Sequence, residues 1–299
     1  MARTARKVLL GREIDAMLRR ARTTQAEAGK LIGVSQSRIA AAIAGTGNLT
    51  AEALEALARK LGISDEDYIR ILLDLQEDSH RRGFWNSGYR RAYIEELRLL
   101  VDLENVADRL RETGAEIVPG LLQHPSYIRA LHEPFQPDPG DPDAVTVEDY
   151  VQARTARQQI LFKRGAPEFH AILSESCLRR TYGGDGVMLD QLGHLIELSH
   201  RPNIQLQVMP FTHQAPGAGM EDRYILVRVP SPGTAGDLEM VVVEAQGEIR
   251  YIDDKPAVGI RDRIFNRLAM TALGPADSRQ FMEHLVRGLR SRPTVHRQP

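Results

Sequence analysis

The sequence predicts an α+β protein: an all-α N-terminal domain of five helices, then a mixed helical domain with a small, mainly antiparallel sheet. Three observations predict it. Apolar residues in the first 75 positions recur at helical spacing, punctuated by capping Thr and Ser and by terminating Gly. Runs of Val, Ile and Leu bounded by Pro and Gly turns gather in the second half. Between the two, residues 79–92 follow neither period and read as a junction. The expected organisation is a helical domain over 1–78, the junction over 79–92 anchored by Phe84 and Trp85, the mixed domain over 93–290, and a flexible tail over 291–299.

Leu10, Ile14, Met17 and Leu18 mark the first helix. Thr23 or Thr24 caps a second with Ala28, Leu31 and Ile32, and Gly33 ends it, because a left-handed residue costs least as Gly. Ser35 caps a third, turning Ile39, Ala42 and Ile43 inward, and Gly45-Thr46-Gly47-Asn48 is a loop. Thr50 starts a fourth helix that Gly62 ends, and Ser64 starts a fifth carrying Tyr68, Ile71, Leu72 and Leu75. Next come a long helix from Tyr93 to Arg111, a turn at Val118-Pro119-Gly120, an exposed loop over 134–143 with four prolines, and a helix from Val147 to Lys163. Strands are expected at 169–173, 204–209, 223–229, 238–243 and 249–252, the last three as an antiparallel meander. Helices near 174–182, 186–200, 257–272 and 276–290 surround them.

The chain of 299 residues is nearly neutral, at a formal −1, but its charge is uneven. Residues 1–46 hold nine Lys/Arg against three Asp/Glu, so a polyanion suits the head and not the acidic remainder. The single cysteine, Cys177, rules out a disulfide framework and a cysteine zinc site, and reads as a small buried hydrophobe. Val8-Leu9-Leu10 is too short for a signal-peptide core, and no run of 18 apolar residues exists, so a cytoplasmic protein without a membrane span is expected. His194 and His200 are six apart and do not align on one helix face. Gly183-Gly184-Asp185-Gly186 lacks the Lys-Ser/Thr of a phosphate loop and reads as a turn. No metal, cofactor or catalytic set is expected.

The stretch from Thr24 to Ile39 reads as two short helices joined by a tight turn, with polar side chains opening the second. That is the arrangement that enters a major groove: Gln36 can pair with adenine, Arg38 can reach guanine or a phosphate, Ser37 can bond a base or a phosphate, and the capping Ser35 is counted with the DNA-binding set. Gln25 opens the preceding helix, where side-chain amide and backbone N–H groups suit a phosphate oxygen. Lys30, Arg12 and Thr46 are further phosphate candidates. The run Thr24-Gln25, Gly33-Val34-Ser35-Gln36-Ser37 and Ile39, followed by Gly45, resembles the Xre/Cro-type repressor helix-turn-helix. Such repressors carry a polar or basic residue where this chain has Ala41, which leaves only a methyl for thymine and implies modest sequence specificity.

The body carries Gly83-Phe84-Trp85, Leu103-Glu104, Val118 to Gln123 with Tyr127, Ala153-Arg154 with Arg157-Gln158, Leu173 with Glu175, Leu178-Arg179, Gln191-Leu192, Asn203 to Phe211, and Glu244. Together and in this order they resemble the actinomycete WhiJ-like family of Xre-type regulators, although His124 stands where that family carries Thr. The resemblance implies a transcription regulator of developmental or specialised-metabolism genes, expected to repress. It also implies a small protein partner encoded beside it, in an antitoxin-like arrangement. From the residues themselves, Arg154, Arg157 and Gln158 share overlapping faces of one helix, and Glu104, Glu175 and Glu244 on other elements could face them. Such a cluster would bind an anionic small-molecule effector or a peptide carboxylate, or else form an internal ion-pair network. The expected partners are therefore double-stranded DNA, a small protein or ligand, and a second copy of the chain, since this motif reads paired half-sites.

Overall fold

A computed structural model describes residues 3–78, 90–134, 144–220, 223–245 and 248–291. All but the first residue of the loop expected at 134–143, most of the junction with Phe84 and Trp85, and nearly all of the tail lie outside the described residues. The chain forms two compact units, Met1–Ala107 with Arg228–Leu238, and Asp108–Val227 with Glu239–Pro299.

The first unit is helical: α1 Ala5–Arg20, α2 Gln25–Ile32, α3 Gln36–Ile43, α4 Ala51–Lys60, α5 Glu66–Asp78 and α6 Glu95–Val106. Side chains decide where these helices begin. Thr4, Thr24, Ser35 and Thr50 each cap the helix that follows by accepting a backbone N–H two or three residues inside it. At α2 the cap is reciprocal: Glu27 Oε2 accepts from the Thr24 backbone N–H at 2.8 Å, and the Thr24 hydroxyl accepts from the Glu27 N–H at 3.3 Å. The fifth helix starts one residue later than a Ser64 cap implies, because the Asp65 carboxylate takes the N–H groups of Asp67 and Tyr68. Ile14, Ile39, Leu54, Leu57 and Leu72 are fully buried and form the core of this unit.

The helix expected from Tyr93 to Arg111 is shorter than its pattern. It ends at Val106, Ala107 is extended at ψ 147°, and β1 Arg109–Gly114 follows. Charged residues hide this strand from a hydrophobic pattern. Arg111 is neutralised by Asp262 and Glu112 by Arg223, so the strand buries side chains that a solvated helix face would also carry.

The second unit is built on one six-stranded sheet in the order β3-β2-β1-β4-β5-β6. Its other strands are β2 Glu168–Ser174, β3 Ile204–Met209, β4 Arg223–Val229, β5 Leu238–Ala245 and β6 Glu248–Ile252. All five strands read from the sequence are present, and β5 pairs with β6 antiparallel as expected. The other half of the sheet differs from a mainly antiparallel one: β1, β2 and β3 run parallel, with Leu110 opposite Phe169 and Phe169 opposite Ile204. Parallel neighbours need crossover connections, and helices supply them. α7 Pro125–His132 and α8 Val147–Gln158 join β1 to β2, and α9 Glu175–Arg179 and α10 Asp185–Leu198 join β2 to β3. β1, the strand that the apolar pattern does not mark, joins this parallel half to β4.

One face of the sheet packs Ile172, Met209, Tyr224, Leu226, Val241 and Val243 against Val258, Phe265 and Leu268 of α11 Lys255–Thr271. The last helix, α12 Pro275–Arg290, is tied to β3 by the Ser278 hydroxyl, which accepts from the Val208 N–H at 2.9 Å. Gln191 of α10 is fully buried and bonds the turn before α7 twice, accepting from the His124 N–H and donating to the Leu122 carbonyl, both at 2.8 Å. His124 does the work of a capping threonine: its Nδ1 accepts from the Ser126 N–H at the start of α7.

Candidate nucleic-acid interface

The turn between α2 and α3 closes because one glycine supplies a left-handed backbone and another leaves room for the returning chain. Gly33 ends α2 at φ +70°, a conformation that L side chains rarely adopt. A Cβ on Gly29 would stand 2.6 Å from the Val34 carbonyl, whose own residue donates back to the Gly29 carbonyl at 2.9 Å. α3 is then pressed onto α1: a Cβ on Gly11 would lie 2.2 Å from the Ile43 carbonyl oxygen and 2.8 Å from that of Ala42. Ile39 and Ala42 are the buried residues of α3. Burial of that face fixes the opposite one outward.

On the outward side Gln36, Ser37 and Arg38 are exposed in the first turn of α3. Ser35 is exposed too, but its hydroxyl serves the helix, accepting from the Arg38 N–H and lying 2.9 Å from the Ser37 hydroxyl. Lys30 is exposed near the end of α2, and Gln25 is half-buried at its start. The interface candidates Gln25, Lys30, Gln36, Ser37 and Arg38 thus lie on the two helices of the motif, with Ser35 as the cap that orders the second. Two phosphate candidates have other commitments. The backbone N–H and hydroxyl of Thr46 both donate to the Ala41 carbonyl, at 3.0 and 3.2 Å. Arg12 donates to the carbonyls of Gly236 and Asp237, at 3.2 and 2.9 Å.

Those carbonyls belong to a turn that the sequence reading did not connect with the first unit. Ser231, Thr234 and Ala235 converge with Tyr68 on the buried carboxylate of Glu13. Burial pushes the Glu13 pKa up, but hydrogen bonds from Ser231, Tyr68, Thr234 and Ala235 outweigh it and hold the group below its ordinary value. A signal was present in the sequence: Glu13 interrupts the apolar stripe of Leu10, Ile14 and Met17 on α1.

In the second unit the residues named for a ligand have the following partners. Arg154, Arg157 and Gln158 come together over the Val118–Gln123 turn. Arg154 donates to Gln123 Oε1 at 2.5 Å, and Gln158 Nε2 donates to the Gly120 and Gln123 carbonyls at 2.9 and 2.7 Å. A Cβ on Gly120 would come within 3.6 Å of the Arg157 guanidinium. Glu175 accepts from Arg179 Nε and from the Phe211 N–H. Glu244 pairs with Arg223, which also meets the buried Glu112, at 3.3 and 3.4 Å. Glu104 is fully buried on α6 in the first unit. Gln123, Glu112 and Arg223 are the members of these networks that the sequence reading did not single out.

A separate hollow of about 160 Å³ opens between α9, α10 and α12, floored by Leu178, Met188, Leu285 and Leu289 and edged by Arg179 and His284. Cys177 is fully buried, and burial pushes its thiol pKa far up, so it is held as the unreactive thiol.

Among the described residues no helix is long and apolar enough to cross a membrane. No curated protein and no solved structure matches the chain. Two family models do. The one described as Helix-turn-helix matches residues 16–68, which span α2 and α3, and the one described as Domain of unknown function (DUF5753) matches residues 97–284. The chain belongs to the DUF5753 family, carries an Xre-type helix-turn-helix at its N-terminus, and is a DNA-binding transcription regulator.

Proposed function

We propose that this protein is a sequence-specific repressor, of the kind its resemblance to WhiJ-like regulators implies, controlled through its second unit by a small protein or a ligand. The observation that carries the DNA half is the first turn of α3, where Gln36, Ser37 and Arg38 stand exposed on a helix clamped from behind at Gly11 and Gly29. A rigid helix offering polar side chains at its N-terminal end is what base reading requires. A bound head excludes other proteins from the same DNA, so repression follows from occupancy alone. Two copies would read half-sites about 34 Å apart, one helical turn of DNA.

Support for control comes from the second unit. The hollow lined by Arg179 and His284 has an apolar floor suited to a small, partly apolar effector.

Genome-wide footprinting in the native host, with the affinity of each footprint measured over a salt series, tests the proposal. Discrete footprints bound more tightly than random DNA at physiological salt are expected. Equal affinity for both, falling together with salt, would mean phosphate contacts alone and would overturn sequence-specific regulation.

A further inference from the structure

The recognition helix changes chemical character halfway along. Between Arg38 and Thr46 its residues are Ile39, Ala40, Ala41, Ala42, Ile43, Ala44 and Gly45, with no polar side chain among them. Ile39 and Ala42 are buried, whereas Ala40 and Ala41 are half-buried and Ala44 is exposed, so methyl groups form the outward surface. The next polar side chain does not replace what is missing. Thr46 spends its hydroxyl hydrogen and its backbone N–H on the Ala41 carbonyl, and the Gly47 N–H goes to the same oxygen at 2.9 Å. The loop also passes close beside the helix: a Cβ on Gly47 would stand 2.9 Å from the Ala41 methyl. Residue 41 is therefore a small apolar surface flanked by backbone.

We infer that this half of the helix reads thymine, through contact of the Ala41 and Ala40 methyl groups with thymine C5-methyls in the major groove, next to an adenine read by Gln36. The inference rests on α3 being the recognition helix, as proposed above. Its chemistry is one of exclusion as well as contact. A methyl placed over the donors and acceptors of a guanine, cytosine or adenine edge leaves those groups dehydrated and unpaired. Thymine alone offers a methyl group there. The polar first turn and the apolar second turn thus select different bases within one half-site.

The test begins by selecting sites from a random double-stranded library with the full chain. Each thymine of the selected site is then replaced in turn by deoxyuridine, which removes the C5-methyl and leaves base pairing intact. One or two thymines per half-site are expected to respond, each replacement weakening binding about fourfold. Ala41→Gly should abolish the response at one of them. Ala41→Ser, which keeps the helix better than glycine, should lower the preference for thymine at that position. A selected site with no thymine sensitive to the replacement, or sensitivity unchanged in both variants, overturns thymine reading while leaving DNA recognition by α3 in place. Failure to enrich any site overturns the recognition-helix reading itself, and this inference with it.

Discussion

Glu13 and Thr234 stand 221 positions apart, yet the Thr234 backbone N–H donates to the Glu13 carboxylate at 2.9 Å. The Ala235 N–H, the Ser231 hydroxyl and the Tyr68 hydroxyl complete the ring of donors, and a Cβ on Gly233 would sit 2.7 Å from the carboxylate carbon. A carboxylate with 1 % of its residue surface exposed is tolerable only when its lone pairs are filled in this way. The helix-turn-helix unit is thus completed by a segment from the far end of the chain. Glu13→Ala should destabilise that unit by about 3 kcal/mol, because four donors lose their acceptor. Ser231→Ala should cost about 1 kcal/mol. Denaturant unfolding read by circular dichroism measures both. The folded-state pKa of Glu13 lies below its ordinary 4.5, so its contribution is present above that value and is lost as pH falls through the folded pKa. In Glu13→Gln that part of the acid sensitivity should vanish.

Gly11 and Gly33 are needed for different reasons, and substitution separates them. Gly11→Ala should place a methyl 2.2 Å from the Ile43 carbonyl and push α3 off α1. A loss of about 1–3 kcal/mol and a marked loss of DNA affinity are expected. Gly33→Ala meets nothing within 4 Å but must hold φ +70°, so it should cost about 1 kcal/mol and leave DNA affinity nearly intact. Thermal unfolding with parallel DNA titrations tests the contrast.

Gln36 and Arg38 should fail in distinguishable ways. Gln36→Ala should weaken binding to the selected site by about 1–3 kcal/mol and relax preference at one base, with little change for random DNA. Lys30→Ala should weaken all sequences alike and reduce the salt slope by about one. Arg38→Ala follows the first pattern if its guanidinium reaches guanine and the second if it reaches phosphate. Fluorescence anisotropy over a salt series resolves the two.

His132 stacks on Tyr150 with ring centroids 4.2 Å apart, and burial together with the Arg154 charge lowers its pKa to about 4. A depressed histidine pKa favours the neutral folded ring, so its contribution is whole above about 6.5 and is lost as pH falls, because the unfolded chain takes up the proton first. The loss should accumulate down to about 4 and then level off. His132→Phe should flatten the melting temperature across that range, and the His132 ring proton shift should titrate near 4 in the wild type.

Local signals explain why so much of the helical unit was legible. A threonine or serine three residues ahead of an unpaired N–H defines a helix start wherever it falls, and Thr24, Ser35 and Thr50 all act in this way, Thr24 together with Glu27 three residues on. The strands at β2 to β6 announce themselves by apolar runs between turn residues. β1 did not, because Arg109, Arg111 and Glu112 are sustained by partners on other strands and helices that no local window contains. The bonding of the charged residues in the second unit is hidden for a related reason: nothing in spacing could tell that Glu175 accepts from Arg179 and the Phe211 N–H, or that Glu244 pairs with Arg223.

The sequence by itself determined the helix-turn-helix, its caps, its terminating glycine and the polar first turn of α3, since each depends on neighbours within about one helical turn. Only the tertiary structure decided which of its cations stay available and what completes the unit. Arg12 is diverted to the Gly236 and Asp237 carbonyls, Thr46 folds back on Ala41, and Glu13 is held by a turn more than 200 residues away. Hydrogen bonds and ion pairs act over a few ångströms of space regardless of chain separation, so their partners become known only once the chain is folded.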